Sequence, residues 1–384
     1  MAINKNINGF FKFCFYISCG FLFLSLFKTV EQIKFHLYTD AKTLAKTDIR
    51  LKPSAPKNIF FILLDGTDLT SSYLDNEKFP RSDIMPNFNK ILKSDFYWFP
   101  NGRSNSPQTA HTLPMIFTGK FNLNEARANF KAGNDVLNYL KKDYKINGFF
   151  YKHYYSSFCT EQNVTECYPF KKKNKKIIKR GFFIILQMFS HRATWGLVKL
   201  PFVVGEKFIP EFEDFSFEEF FHRVENISEE KNFFYLHIFR RNLLDIVKFD
   251  IEFKHLVELL KKKNIYEDSL IFLTADHGLD YTQTGHIYGL DAKFTSRVFN
   301  IPFAIKPQGL GQGKKDSFQV QTIDLAPTIF SALYEDIPLK LEGFNLLKET
   351  PKIMRKHFVI CNSKGELTRA EFESINKVSK CESF

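Results

Sequence analysis

Cysteine is scarce in this 384-residue chain, at six positions, and the four that lie beyond the N-terminal segment do not have metal-ligand spacing. With 18 glycines and 15 prolines, the chain is not collagen-like or low-complexity. Long apolar runs are missing too. The longest, residues 13–27, would extend only about 22 Å as a helix, and the absence of others excludes a many-pass membrane protein. No internal repeat is visible, which argues against a solenoid. Acidic residues are in deficit, 42 against 54 Lys and Arg, giving a net charge of +12. Such a balance favours anionic partners, but no nucleic-acid recognition motif accompanies it. What remains is ordinary globular composition, 44% apolar and 25% charged, with one excess: 46 phenylalanines.

Part of that excess lies at the N-terminus. Residues 13–27 are flanked by Lys5, Lys12 and Lys28, the pattern of an export signal. No small-residue cleavage site follows Phe27, so residues 1–28 are expected to remain as a single-pass anchor rather than to leave as a signal peptide. Residues 29–56 are polar and end in Lys52-Pro-Ser-Ala-Pro56, a stalk. An exported chain favours disulfides, and the remaining cysteines form two local pairs, Cys159 with Cys167 and Cys361 with Cys381. Residues 351–384 form a C-terminal extension.

The expected domain, residues 57–350, opens on Asn58-Ile-Phe-Phe-Ile-Leu-Leu64, a short apolar run bounded by Pro56 and Asp65-Gly66. That is the pattern of a strand buried on both faces. A second such run, Ser269-Leu-Ile-Phe-Leu-Thr274, leads into Asp276-His277-Gly278. Helical patterns at 85–92, 134–141, 249–263 and 324–334 alternate with these strands, so the expected fold is α/β with its ligands beyond the carboxyl ends of the strands. Residues 171–205 break the pattern. They join a lysine run to an apolar, aromatic stretch, which suits either a membrane-interface element or an insertion packed on the core.

Asp65 and Asp276-His277 thus stand at two strand ends where ligands bind. Carboxylates with an imidazole suit Zn²⁺ or Mn²⁺ better than Ca²⁺. Thr109 precedes an apolar helical run and reads as its N-cap, at an end that favours anionic oxygen.

These segments resemble the sulfatase and alkaline-phosphatase superfamily. Asn58-Ile-Phe-Phe-Ile-Leu-Leu-Asp65 resembles the opening strand and first metal carboxylate of that family, and Met85-Pro-Asn-Phe-Asn-Lys-Ile-Leu92 its next helix. Asn105-Ser-Pro-Gln-Thr109-Ala-His-Thr-Leu-Pro-Met-Ile-Phe-Thr-Gly119 resembles the nucleophile segment, and counting back ten positions from Gly119 lands on Thr109. Leu273-Thr-Ala-Asp-His-Gly278, Gln321-Thr-Ile-Asp324-Leu-Ala-Pro-Thr328 and Glu342-Gly343-Phe-Asn-Leu-Leu347 resemble later family motifs.

The resemblance implies an alkaline-phosphatase-like fold, a central mixed, mostly parallel sheet between helices. A sulfatase nucleophile is a formylglycine made from Cys or Ser, which Thr cannot become. Threonine here resembles the phosphoethanolamine and phosphoglycerol transferases of bacterial envelopes. The implied activity is transfer of a phosphoryl-alcohol group from a phospholipid donor to an envelope lipid or glycan, through a covalent Thr109 intermediate. A phosphodiesterase or phosphatase on the same site is the alternative, and a non-catalytic envelope-binding member the third. The implied metal ligands are Asp65, Thr109, Asp276 and His277, holding one Zn or Mn. A second metal near His286 stays open. His237 is a candidate general acid, and His286, Lys152 and His153 are candidate substrate contacts. The chain departs from the sulfatase pattern in two places. Asp65 is followed by Gly rather than a second carboxylate, and the nearest approach to an Asp-x-x-x-His, Asp250 with His255, is one residue too long.

Overall fold

A computed structural model describes residues 49–67, 73–150, 165–169, 217–239, 243–278, 296–309, 312–337, 339–348, 357–361, 367–371 and 382–383. The expected anchor at 1–28, most of the stalk, the insertion at 171–205, Lys152, His153, Cys159, His286 and Cys381 lie outside them. Among the described residues no helix is long and apolar enough to cross a membrane.

The apolar run after Pro56 forms β1, Asn58–Asp65, and every residue of it is buried. It is the centre of an eight-stranded sheet. On one side it pairs in parallel with β5 (Asn232–Phe239), followed by β3 (Lys145–Phe150) and β4 (Glu166–Pro169). On the other side lies β6 (Ser269–Ala275), also parallel and buried throughout. Beyond it, β7 (Phe303–Lys306) runs antiparallel, and β2 (Tyr97–Trp98) and β8 (Lys314–Lys315) close the edge. The sheet is therefore mixed, mostly parallel, with the two strands read from the sequence side by side at its middle. A second, three-stranded antiparallel sheet is built by β9 (His357–Cys361), β10 (Leu367–Glu371) and β11 (Glu382–Ser383).

Eight helices are described: α1 (Pro86–Asp95), α2 (Thr109–Thr118), α3 (Leu123–Lys131), α4 (Val136–Leu140), α5 (Phe217–Glu225), α6 (Leu243–Lys262), α7 (Ser296–Phe299) and α8 (Leu325–Leu333). The phenylalanines fill the space between helices and sheet. Phe61 on β1 packs against Phe117, Phe233, Tyr235 and Phe272, with ring centroids 5.7–6.3 Å apart. Phe88 meets Phe249 and Phe253 edge-on at 5.6 and 5.1 Å, which joins α1 to α6. Each such pair adds about 0.5–1.5 kcal/mol beyond the area it buries, so the surplus Phe has a core to fill. Asp250 ties the same two helices: its carboxylate accepts from the Phe88 amide (2.7 Å) and from Asn87 Nδ2 (2.7 Å) at the start of α1. His255 lies against Phe221, at 4.3 Å between rings. Asp250 and His255 both lie on α6, away from the strand ends.

Candidate active site

Register sets the site. Leu64 lies opposite Ala275 on β6, so Asp65 and Asp276 leave their strands side by side. Leu63 lies opposite His237 on β5, and side chains alternate along a strand. His237 therefore shares the sheet face of Asp65, two residues short of the strand's end. Tyr235, opposite Phe61, lies on that face as well. Asp65, His237 and Asp276 are all buried, and one ligand atom from each lies within 4.8 Å of the others. His237 Nε2 stands 3.3 Å from Asp65 Oδ2.

The Gly after Asp65 has a local cause. Gly66 adopts φ +66°, a conformation that L side chains rarely take, and its amide donates to Asp276 Oδ1 at 3.1 Å. A second carboxylate residue at this point would strain the turn that makes the bond. His277 N donates to the same oxygen at 2.8 Å. Asp276 Oδ1 is thus held by two amides, while Oδ2 is buried with no hydrogen-bond donor among the described residues. A fully buried carboxylate oxygen left in that state is costly unless a cation meets it, so the residues present fit a divalent metal.

The tautomer of His277 follows from its neighbours. Its Nδ1 lies 2.7 Å from the Gly278 carbonyl oxygen, which only accepts, so Nδ1 carries the proton. Its Nε2 then presents a lone pair. That lone pair faces Thr109 Oγ1 at 3.1 Å and lies 3.5 Å from Asp276 Oδ2. In the metal-free arrangement Thr109 donates its hydroxyl proton to His277; a bound cation would use the same lone pair.

Thr109 is the first residue of α2 rather than its N-cap. Gln108 holds the cap position and gives no side-chain cap bond, so the amide end of the helix is left to favour an anion beside Thr109 Oγ1. The helix ends at Gly119 with φ +63°. Thr109 is half-buried, whereas Asp65, His237 and Asp276 form the buried floor.

Several residues that hold this geometry are not site residues by type. Ser104 Oγ lies against the carbonyl oxygen of Asp276 and that of Ser106 (2.7 Å). Asn105 Oδ1 accepts from Thr322 Oγ1 (2.8 Å) and Ile323 N (2.9 Å), and its own amide donates to Thr322 Oγ1 (3.2 Å). Asp324 accepts from the amides of Gln321 and Phe344, both at 2.8 Å. The family-like stretches around 105, 321–328 and 342–347 are therefore one clasp behind Thr109, and their motif character was the signal for it. Tyr235 is also new. Its hydroxyl is 3.3 Å from His237 Nδ1, and burial, with the charges of Asp276 and Asp65, holds it well above the usual phenol range as a neutral phenol. Cys167 on β4 is disulfide-bonded; its expected partner is outside the described residues.

A buried, mostly parallel sheet that presents Asp, Asp-His and a helix-start Thr at its carboxyl end defines a metal-dependent enzyme of the alkaline-phosphatase-like class. The family described as Sulfatase matches residues 57–335, and the chain belongs to that family. Solved structures show the same fold at low identity. The C-terminal periplasmic domain of EcEptC from Escherichia coli is 13% identical with a TM-score of 0.54, covering 88% of this chain and 99% of that one. A protein of the alkaline phosphatase superfamily from Vibrio parahaemolyticus is 13% identical with a TM-score of 0.53, covering 92% and 90%. The phosphonate monoester hydrolase of Agrobacterium radiobacter is 12% identical with a TM-score of 0.51, covering 79% and 80%.

Proposed function

We propose that this protein is an extracytoplasmic phosphotransferase that moves a phosphoryl-alcohol group, of phosphoethanolamine or phosphoglycerol type, from a phospholipid to an envelope lipid or glycan. The observation that carries the reading is Thr109 Oγ1, at an uncapped helix start, 3.1 Å from the lone-pair nitrogen of His277. Formylglycine chemistry needs Cys or Ser at this point, so a Thr favours phosphorus over sulfur.

Asp65, Thr109, Asp276 and His277 would hold one Zn or Mn. Such an ion would lower the pKa of a hydroxyl and neutralise phosphoryl oxygens. Without the ion His277 accepts the Thr109 hydroxyl proton, and the start of α2 receives the anionic phosphodiester. In the first half-reaction a Thr109 Oγ–P bond forms as the bond from phosphorus to the lipid alcohol breaks, and the hydroxyl proton leaves with that alcohol. An acceptor hydroxyl then attacks the phosphothreonine, breaking the Oγ–P bond and returning the proton to Thr109. Water as acceptor gives a phosphodiesterase, the second reading, which the likeness to a phosphonate monoester hydrolase supports equally.

Extracytoplasmic placement is supported by the likeness to a periplasmic domain and by the export pattern of residues 1–28, which we take as an anchor. The pairings Cys159–Cys167 and Cys361–Cys381 belong to the same reading, as do phosphate contacts from Lys152, His153 and His286. The basic segment 171–205 is taken to rest on anionic lipid.

Mass analysis after incubation with phosphatidylethanolamine or phosphatidylglycerol tests the proposal. A phosphoethanolamine or phosphoglycerol adduct on the Thr109 peptide names the donor. Thr109→Ala should abolish turnover of a p-nitrophenyl phosphodiester, a fall of more than about 10³-fold for loss of the nucleophile. Full activity in that variant removes Thr109 from the mechanism.

A further inference from the structure

We propose that His237 is a metal ligand, holding the divalent cation together with Asp65 and Asp276. This inference rests on the metal-dependent reading above and adds a nitrogen donor that the four-residue set of Asp65, Thr109, Asp276 and His277 does not contain.

Distance is the first argument. Donors bound to one zinc at about 2.0–2.2 Å and at the tetrahedral angle stand about 3.3–3.6 Å apart. His237 Nε2 and Asp65 Oδ2 are 3.3 Å apart, which is such an edge. Asp276 completes the set, with ligand atoms of all three residues within 4.8 Å of one another. The second argument is independent of His237: Asp276 belongs to this group, and its Oδ2 is buried with no hydrogen-bond donor among the described residues. Two buried carboxylates this close repel each other unless positive charge lies between them.

The surroundings of the ring agree. Metal-bound histidines are generally held through the other ring nitrogen by an outer partner. Here Tyr235 Oη is 3.3 Å from Nδ1, and a phenol oxygen can accept a hydrogen bond as well as donate one. With Nδ1–H given to Tyr235, the Nε2 lone pair faces the carboxylates. A general acid must instead reach the leaving oxygen. The His237 side chain is only 2% exposed, with Tyr235 at one nitrogen and Asp65 at the other. An imidazole among these oxygens would select Zn²⁺ or Mn²⁺ over Ca²⁺.

The test is metal affinity of the full chain, measured by chelator competition for Zn²⁺, with the absorption spectrum of the Co²⁺-loaded protein as a second readout. His237→Gln should weaken Zn²⁺ binding at least about tenfold, by analogy with losses of that size for outer partners alone, and should shift the cobalt bands through loss of a nitrogen donor. Tyr235→Phe should weaken binding about tenfold. Asp276→Asn is the control. If it loses the metal while His237→Gln keeps affinity within about twofold and an unshifted cobalt spectrum, His237 is not a ligand and the metal-dependent reading stands. If Asp276→Asn also binds unchanged, the metal-dependent reading itself fails. Should His237→Gln not fold, Tyr235→Phe decides, and unaltered affinity and spectrum there overturn the proposal.

Discussion

Asp276→Asn should stabilise the protein without metal and disable it with metal. Asparagine keeps Oδ1, so the bonds from Gly66 N (3.1 Å) and His277 N (2.8 Å) survive. Oδ2 becomes an amide nitrogen. In the native chain that oxygen is buried without a donor, 3.5 Å from a His277 nitrogen that is itself an acceptor, so two acceptors face each other. The new N–H₂ puts a donor beside that nitrogen in place of a second acceptor, and one of two neighbouring buried charges disappears. Relief of an unsatisfied buried group amounts to about 1–3 kcal/mol. At about 2–4 °C per kcal/mol for a domain of this size, the melting temperature in EDTA should rise by about 2–12 °C. With metal at a thousand times its Kd, the native chain gains about 4.1 kcal/mol that the variant does not. Scanning calorimetry with EDTA and with Zn²⁺ should therefore show the order of the two proteins reverse. A variant that melts below the native chain in EDTA would refute the claim that Oδ2 is kept for a cation.

Two further outcomes follow from the fold. Asp135 caps α4, accepting from the Leu137 and Asn138 amides, and is fully buried. Burial pushes its carboxyl from 3.8 up to about 7, against the lowering effect of its hydrogen bonds from Asn138 and Leu137. The folded chain thus holds a proton that the unfolded chain has released, and stability falls as pH rises from about 4 to 7, by about 4 kcal/mol at most. Asp135→Asn should therefore raise the urea midpoint more at pH 8 than at pH 4; equal gains at both would show that the carboxyl is not neutral in the fold. Gly119 has φ +63°, and a Cβ there would stand 2.7 Å from Leu341 Cδ2 and 3.2 Å from Ala326 Cβ. Gly119→Ala should cost about 1–3 kcal/mol in urea unfolding while activity per folded molecule stays unchanged; no loss would mean the turn is not strained.

Much of the centre was legible because burial on both faces leaves an unbroken apolar run. Asn58-Ile-Phe-Phe-Ile-Leu-Leu64 and Ser269-Leu-Ile-Phe-Leu-Thr274 are such runs, and they are β1 and β6. The edge was not legible: β2 and β8 are two residues each, too short for any period to appear. Helix α6 begins at Leu243, earlier than the polar–apolar pattern from 249 indicated, since its exposed first turns carry Val247 and Ile251. Asp65, Asp276 and His277 could be placed from strand ends alone. Tyr235 and the face shared by His237 could not, because they depend on which strand lies beside β1, and strand order is a property of the folded sheet. Thr109 was placed one position early, as a cap, because a Thr before an apolar run reads the same at either position.

The clasp behind Thr109 also carries an order in time. Asn105 emerges from the ribosome 217 residues ahead of Thr322, its hydroxyl partner, and β1 must wait for both β5 and β6 before it has a neighbour on either side. Non-local pairings of this kind are slow to form. The nascent chain therefore does not hold the residues around Thr109 in place until Thr322 and Ile323 are made. A chain cut short before residue 322 would carry Asp65, Thr109, His237, Asp276 and His277 and still lack the groups that hold Asn105 beside them.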